Sequence, residues 1–153
     1  MIDLWSEPWA EALLVINASA STVMTGLIWF VQIVHYPLLA ATPPEQSIAT
    51  ALVHQRRTGY VVALPMAVEG FSTLALLADP PTRVALAWPW IGAVLLAVSL
   101  GSTVLLSVPL HARMARGYLP DTGRRLVITN WPRTIAWTLR AVLLVTLVAA
   151  GLT

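Results

Sequence analysis

From Ala12 to Pro44 the chain carries no Asp, Glu, Lys or Arg, and this uncharged stretch restricts the fold more than any other feature. A helix needs about 20 mostly apolar residues to cross a bilayer. The stretch has no charged residue that could form the solvated face of a helix in a soluble protein. The stretch therefore predicts a transmembrane helix.

The rest of the chain has the same character. Its 153 residues are 58% hydrophobic and 10% charged, whereas soluble domains have about 25% charged residues. There is no cysteine, which excludes disulfides, thiol catalysis and thiolate metal sites. The acidic start with Asp3, Glu7 and Glu11 lacks the basic region of a signal peptide, so we expect the first apolar segment to stay in the protein.

The apolar segments predict an all-α, integral membrane four-helix bundle that forms one domain over residues 1–153. We expect the helices at about residues 11–39, 58–78, 89–111 and 132–152. The sequence Thr42-Pro43-Pro44-Glu45 resembles a helix start with Thr42 as the N-cap and Glu45 closing a capping box. This start predicts a short interfacial helix that leads into the second crossing.

The arginines are distributed unevenly between the two sides of such a bundle. Seven lie in or beside the loops after the first and third helices: Arg56, Arg57, Arg113, Arg116, Arg124, Arg125 and Arg133. The opposite side has Arg83 together with Asp3, Glu7, Glu11 and Asp79. The positive-inside rule then predicts a multi-pass membrane protein with its arginine-rich loops in the cytoplasm and both termini outside it. Because topology explains the arginines, we expect the lipid bilayer and no nucleic acid as a partner.

A shift of 76 residues places His35 on His111, Pro44 on Pro120 and Arg57 on Arg133. One interpretation is that the bundle consists of two duplicated helical hairpins related by an axis along the membrane normal. The alternative is that both hairpins obey the same topology rules without a common origin.

Helical spacing places the polar residues of each crossing on one seam, and such seams face the bundle interior because lipid cannot satisfy them. The seams and their ends predict a polar pocket that opens toward the cytoplasmic side. Its candidate residues are Gln32, His35, His54, Arg57, Glu69, His111, Asn130, Arg133, Trp137 and Arg140.

Glu69 and Arg140 are the charged residues deepest in the apolar segments. They enter from the same side, and at about 1.5 Å per residue their depths differ by only about 7 Å. An unpaired charge in the bilayer costs at least about 2.5–3.5 kcal/mol. We therefore predict an intramembrane Glu69–Arg140 ion pair, which either clamps the helices or forms the floor of the pocket.

The three histidines, His35, His54 and His111, all lie near the predicted cytoplasmic ends of the crossings. Imidazoles in this position predict an axial haem site or a site for Cu, Zn or Fe. The alternative is that they are hydrogen-bonded or interfacial histidines without a ligand, since none has the short fixed spacing of a metal motif.

Four segments resemble a family of small four-helix bacterial membrane proteins to which no reaction is assigned: VQIVHYPLL, HQRRTGYVVALPMAVEG, VPLHARMARGY and NWPRTIAWTLR. More distantly, the chain is similar to the anthrone-oxygenase-like membrane proteins in its size, its four crossings and its Gly26…His35-Tyr36-Pro37 region. An oxygenase activity would follow from this second resemblance by analogy alone.

Two classes of function remain open. The first is a membrane protein whose pocket binds a metal, a haem or a small apolar substrate, with or without catalysis. The second is a non-catalytic transport or structural subunit that forms a homo-oligomer or joins a larger membrane complex, because small residues on the helix faces favour association.

Overall fold

The computed structural model describes residues 7–117 and 120–151, which form the predicted all-α four-helix bundle. The first helix, α1, consists of Glu7–Phe30, a π-helical turn at Val31–His35 and a final turn at Tyr36–Ala40; α2 is Pro44–Ala78. The third helix, α3, consists of Ala87–Ser102, a π-helical turn at Thr103–Ser107 and Val108–Arg116; α4 consists of Pro120–Thr129 and Trp131–Ala149, joined at Asn130. All four are long and apolar enough to cross a membrane.

The helix boundaries differ from the predicted ones at the arginine-rich end. The expected interfacial helix is not separate, because α2 runs without interruption from Pro44 to Ala78. The predicted capping box is wrong: Pro43 is the N-cap, and the Thr42 hydroxyl donates to the carbonyl of Leu38 at 3.3 Å. The predicted end of the fourth helix at residue 152 lies outside the described residues.

The two π-helical turns each precede a proline, Pro37 in α1 and Pro109 in α3. A proline ring inside a helix clashes with the carbonyl four residues earlier, and widening the preceding turn relieves this clash. The N–H groups of Tyr36 and Val108 accordingly bond to the carbonyls five residues back, those of Val31 and Thr103. The turns are offset by 72 residues, so the predicted shift of 76 residues does not superimpose them.

Hydrogen bonds show which helix ends lie together. At one end, Glu7 accepts from the backbone N–H of Thr82 at 2.8 Å, and Arg83 pairs with Glu11 at 2.6 Å while also donating to the carbonyl of Leu147. These side-chain hydrogen bonds to Glu11 raise the pKa of Arg83 above its ordinary value. The described ends of α1 and α4 therefore lie on the same side as the α2–α3 loop.

At the opposite end, α4 starts against the end of α1. A Cβ added to Gly123 would lie 2.7 Å from the Cα of Ala40, so only glycine permits this close approach. Six exposed arginines that were expected in or beside the loops lie in the helices at this end: Arg56 and Arg57 in α2, Arg113 and Arg116 in α3, and Arg124 and Arg125 in α4. We call it the arginine-rich end.

The interior alternates between apolar and polar layers along the bundle axis. Three apolar clusters contain, from the arginine-rich end, Tyr36, Leu39, Ala51, Leu110, Met114 and Leu126; then Met24, Ile28 and Trp137; then Leu14, Ala18, Leu76, Val84 and Leu144. Buried polar side chains fill the two gaps between them. One gap holds Glu69 and Arg140, and the other holds histidines and Arg133.

Candidate functional site

The deeper polar layer is built around the predicted ion pair, which the structure confirms. Arg140 Nε lies 2.9 Å from Glu69 Oε1, and the two side chains are 1% and 0% exposed. The second carboxylate oxygen accepts from Trp137 Nε1 at 3.0 Å. Arg140 Nη2 donates to Asn17 Oδ1 at 2.9 Å and to Thr73 Oγ1 at 2.6 Å. We call these residues the Glu69 network.

Every side-chain nitrogen of Arg140 and both carboxylate oxygens of Glu69 have a hydrogen-bond partner. The remaining guanidinium nitrogen, Arg140 Nη1, donates to the backbone carbonyl of Gly92, where an added Cβ would lie only 3.1 Å away. Both charges thus have hydrogen-bond partners on every side, which is the condition for a tolerated buried pair. Neither Glu69, Trp137 nor Arg140 lines the cavity described next. Of the two interpretations of the pair, the contacts therefore favour the clamp, which joins all four helices.

The second polar layer borders a half-open cavity of about 260 Å³ between α2 and α3. Its polar lining lies toward the arginine-rich end and includes Tyr36, His54, Thr58, Ser107, His111 and Arg133. Its apolar lining lies toward the middle of the bundle and includes Ile28, Val62 and Met66, which pack against Trp137. The cavity is thus polar at one end and apolar at the other.

Arg133 is a buried cation, 6% exposed, at the polar end of this cavity. Its guanidinium donates to Asn130 Oδ1, to the Tyr36 hydroxyl at 3.0 Å and to Thr103 Oγ1 at 3.3 Å. All three partners are neutral. The ion pairs within residues 7–117 and 120–151 are Arg83–Glu11 and Arg140–Glu69, so Arg133 has no carboxylate partner there.

Two further predicted residues, Gln32 and Asn130, form hydrogen bonds that fix the position of a partner of Arg133. Asn130 Nδ2 donates to Gln32 Oε1 at 2.8 Å, and Gln32 Nε2 donates to the carbonyl of Val127 at 3.1 Å. This chain of amides orients the Asn130 oxygen toward the guanidinium. Gln32 and Asn130 are positioning residues that do not line the cavity.

His111 presents an unpartnered nitrogen in the same layer. Its Nε2 lies 2.9 Å from the Tyr36 hydroxyl. Arg133 can only donate, so the Tyr36 oxygen accepts from it. His111 Nε2 is the other hydrogen-bond partner of Tyr36, and we assign it as the acceptor of the Tyr36 proton because this arrangement uses that donor. Counting donors therefore assigns the proton of a neutral His111 to Nδ1. This nitrogen is buried and has no hydrogen-bond partner among the described residues.

The Ser107 hydroxyl also lacks a hydrogen-bond partner among the described residues, although the residue is only 2% exposed and lines the cavity. Other helical hydroxyls in this chain donate to the carbonyl four residues earlier, as Ser99 and Thr103 do. For Ser107 that carbonyl belongs to Thr103, at the start of the π-helical turn, and the hydroxyl does not bond to it. Ser107 thus brings an unpartnered hydroxyl to the wall of the cavity.

The three predicted histidines do come together, but not as metal ligands. His35 Nε2 and His54 Nδ1 are 2.5 Å apart, and the rings of His54 and His111 are 4.8 Å apart. Nitrogens this close share a proton, whereas two ligands of one metal ion must both point at the ion. Among the described residues no group of three or more His, Asp or Glu side chains is placed to hold a metal ion. Rings in mutual contact also leave no space for a haem between them.

Arg57 does not take the role predicted for it, since it is exposed and does not line the cavity. Conversely, the predicted pocket did not include Tyr36 or Ser107, which the structure places at the cavity. The spacing of four residues already put Ser107 on the same polar seam as His111. For Tyr36 the available signal was Pro37, because an internal proline disturbs the helix just before it.

Comparison of the chain with known protein families, with curated proteins and with solved structures finds no match. The resemblance to small four-helix bacterial membrane proteins, and the more distant one to anthrone-oxygenase-like proteins, therefore stay predictions.

Proposed function

We propose that this chain is a multi-pass protein of a bacterial inner membrane that binds a small single-chain amphipath with an anionic oxygen head group. The head group lies between Arg133, Ser107 and His111, and the apolar body lies against Ile28, Val62 and Met66. In the proposed orientation the arginine-rich end faces the cytoplasm, as the positive-inside rule requires.

The observation that carries this proposal is the buried guanidinium of Arg133, which has no carboxylate partner among the described residues. Burying a charge without an opposite charge is unfavourable, and ionisable residues within membrane segments are commonly functional. The Glu69 network shows how this chain satisfies a cation that is purely structural: a carboxylate is supplied. At the cavity, an anionic ligand would take the place of that carboxylate.

The unpartnered atoms of Ser107 and His111 support the same ligand class. Among the described residues Ser107 Oγ and His111 Nδ1 have no hydrogen-bond partner. Arg133 and the Nδ1–H of His111 can only donate, and the Ser107 hydroxyl can donate as well as accept. A ligand that complements these groups must accept hydrogen bonds. The volume of about 260 Å³ is small for a ligand pocket, which favours one short chain over a two-chain lipid.

The direct test is calorimetric titration of the protein in nanodiscs with decanoate and with methyl decanoate, which differ mainly in head-group charge. We expect saturable 1:1 binding of decanoate, at least about tenfold tighter than that of the ester, because a charge-assisted hydrogen bond contributes about 1.5–3 kcal/mol. Equal affinities, or no saturable binding of either compound, contradict the proposal.

Blocking the cavity should abolish binding without disturbing the fold. Gly59 lines the cavity, and a Cβ added there meets no atom within 4 Å. We expect Gly59→Phe to weaken decanoate binding by at least about tenfold through steric exclusion. Gly26→Phe is the matched control, since Gly26 is exposed on α1, has the same free space and does not line the cavity. Equal effects of the two variants would place the ligand elsewhere.

Ser107→Ala should weaken decanoate binding without lowering the stability of the protein. Removing a buried hydroxyl that has no partner relieves its desolvation penalty of about 1–3 kcal/mol, so the ligand-free variant is expected to be at least as stable as the parent. Decanoate affinity should fall by about tenfold, the lower end of the range for a hydrogen bond to a charged group. Ser21→Ala is the control, because Ser21 Oγ is also buried without a partner among the described residues but does not line the cavity. Its decanoate affinity should not change, and a matching loss would contradict the assignment of Ser107.

A further inference from the structure

The contact between His35 and His54 has no role in holding the ligand described above. His54 lines the cavity and is 7% exposed, whereas His35 lies outside the cavity lining and is half-buried in the π-helical turn of α1. The two rings are tilted with centroids 4.5 Å apart, and their facing nitrogens are 2.5 Å apart. A buried contact between two imidazoles joins the cavity to a residue nearer the bundle surface.

Each ring of this pair also has a second, outer nitrogen. His54 Nδ1 contacts His35 and the Thr58 hydroxyl at 3.0 Å, while His54 Nε2 has no hydrogen-bond partner among the described residues. His35 Nδ1 likewise has none there. A row of two imidazoles with free outer nitrogens can accept a proton at one end and release one at the other.

We propose that His54 and His35 form a proton-transfer path between the cavity and water at the arginine-rich end. The proposal rests on the proposed function, because it makes the ligand a weak acid that crosses the bilayer neutral and is held as its anion. An uncharged acid avoids the cost of bringing a charge through hydrocarbon.

The proton balance of this path is as follows. The O–H bond of the acid head group breaks, and its proton bonds to His54 Nε2. His54 gives the proton on Nδ1 to His35 Nε2, and His35 releases the proton on Nδ1 to water. The ligand becomes an anion beside Arg133, one proton reaches water, and both rings end as the opposite neutral tautomer. Release of the ligand as the acid reverses each transfer and resets the rings.

The surroundings favour neutral rings throughout. The titratable and charged groups that face the pair are Tyr36 on α1, His111 on α3 and Arg133 on α4. No carboxylate is among them in the part of the chain that the structure describes. The positive charge of Arg133 opposes a second positive charge on the neighbouring rings. Transfer between neutral tautomers needs no stable imidazolium.

The test uses full-length protein labelled with ¹⁵N-histidine in nanodiscs, where only three histidines give ring signals. Water exchange of each ring N–H is measured with and without decanoic acid. We expect His35→Phe to slow exchange at His54 by at least about tenfold, and decanoate affinity to stay within about twofold of the parent. Exchange at His111 is the internal control, because its ring lies outside the path, and it should not change.

A second variant excludes a packing effect. His35→Gln keeps a polar side chain but has no imidazole tautomers, so it should slow exchange at His54 as His35→Phe does. Unchanged exchange at His54 in a folded variant overturns the path. Since exchange is also measured without ligand, that failure is distinct from a failure of decanoate binding, which would overturn the proposed function instead.

Discussion

Arg133→Gln is expected to weaken decanoate binding by about ten- to a hundredfold, the loss of one charge-assisted hydrogen bond of about 1.5–3 kcal/mol. Glutamine keeps a polar side chain near Asn130 and Tyr36 but removes the positive charge. Binding of methyl decanoate should change far less, because the ester presents no anion. Calorimetric titration of both compounds against parent and variant measures the coupling between the guanidinium and the head-group charge.

The matched control for this prediction is Arg57→Gln. Arg57 also precedes a threonine near the same end of the bundle, but it is exposed and does not line the cavity. Its removal should leave decanoate affinity within about twofold of the parent value. If both arginine variants lose affinity equally, the anion is attracted by the general charge of the arginine-rich end and not by Arg133.

Arg140→Met is expected to lower the free energy of unfolding by about 3–5 kcal/mol, because it leaves the Glu69 carboxylate buried without its cation. The double variant Glu69→Gln with Arg140→Met should recover much of this loss, since neither charge then remains. Unfolding in mixed micelles with increasing SDS, followed by far-UV circular dichroism, measures both values. Decanoate affinity of the folded variants should be retained, because the Glu69 network does not line the cavity.

The exposed pair Arg83–Glu11 provides the comparison for this second prediction. Its side chains are 30% and 35% exposed, and exposed pairs contribute only about 0–1 kcal/mol. Arg83→Met should therefore have a small effect on unfolding. A similar loss for Arg83→Met and Arg140→Met would show that burial does not set the strength of these pairs.

The four crossings and the Glu69–Arg140 pair could be predicted from the sequence because both follow from one property of hydrocarbon. Lipid cannot form hydrogen bonds with polar groups, so an apolar segment that crosses the bilayer must pair its own backbone groups and becomes a helix. For the same reason, opposite charges within the crossings form an ion pair. These conclusions need only the order of the residues and the rise of a helix. They do not depend on how the helices rotate against each other.

The cavity depends on that rotation, and there the sequence was insufficient. Arg57 and Arg133 both precede a threonine and are equivalent in sequence, yet Arg57 is exposed and Arg133 is buried. The helix α4 packs against both α1 and α3, and a larger share of it than of α2 is buried, 39% against 22%. Its interior face is therefore wide enough to include Arg133. The π-helical turns also rotate the following residues, which a regular period of 3.6 residues does not describe.

The apolar layer of Met24, Ile28 and Trp137 has a consequence for how the molecule can work. It lies between the polar end of the cavity and the Glu69–Arg140 pair, and its Trp137 side chain donates to Glu69. A ligand bound as proposed would therefore stay on one side of this layer, and within the described residues its route to the other side would pass the Trp137 ring.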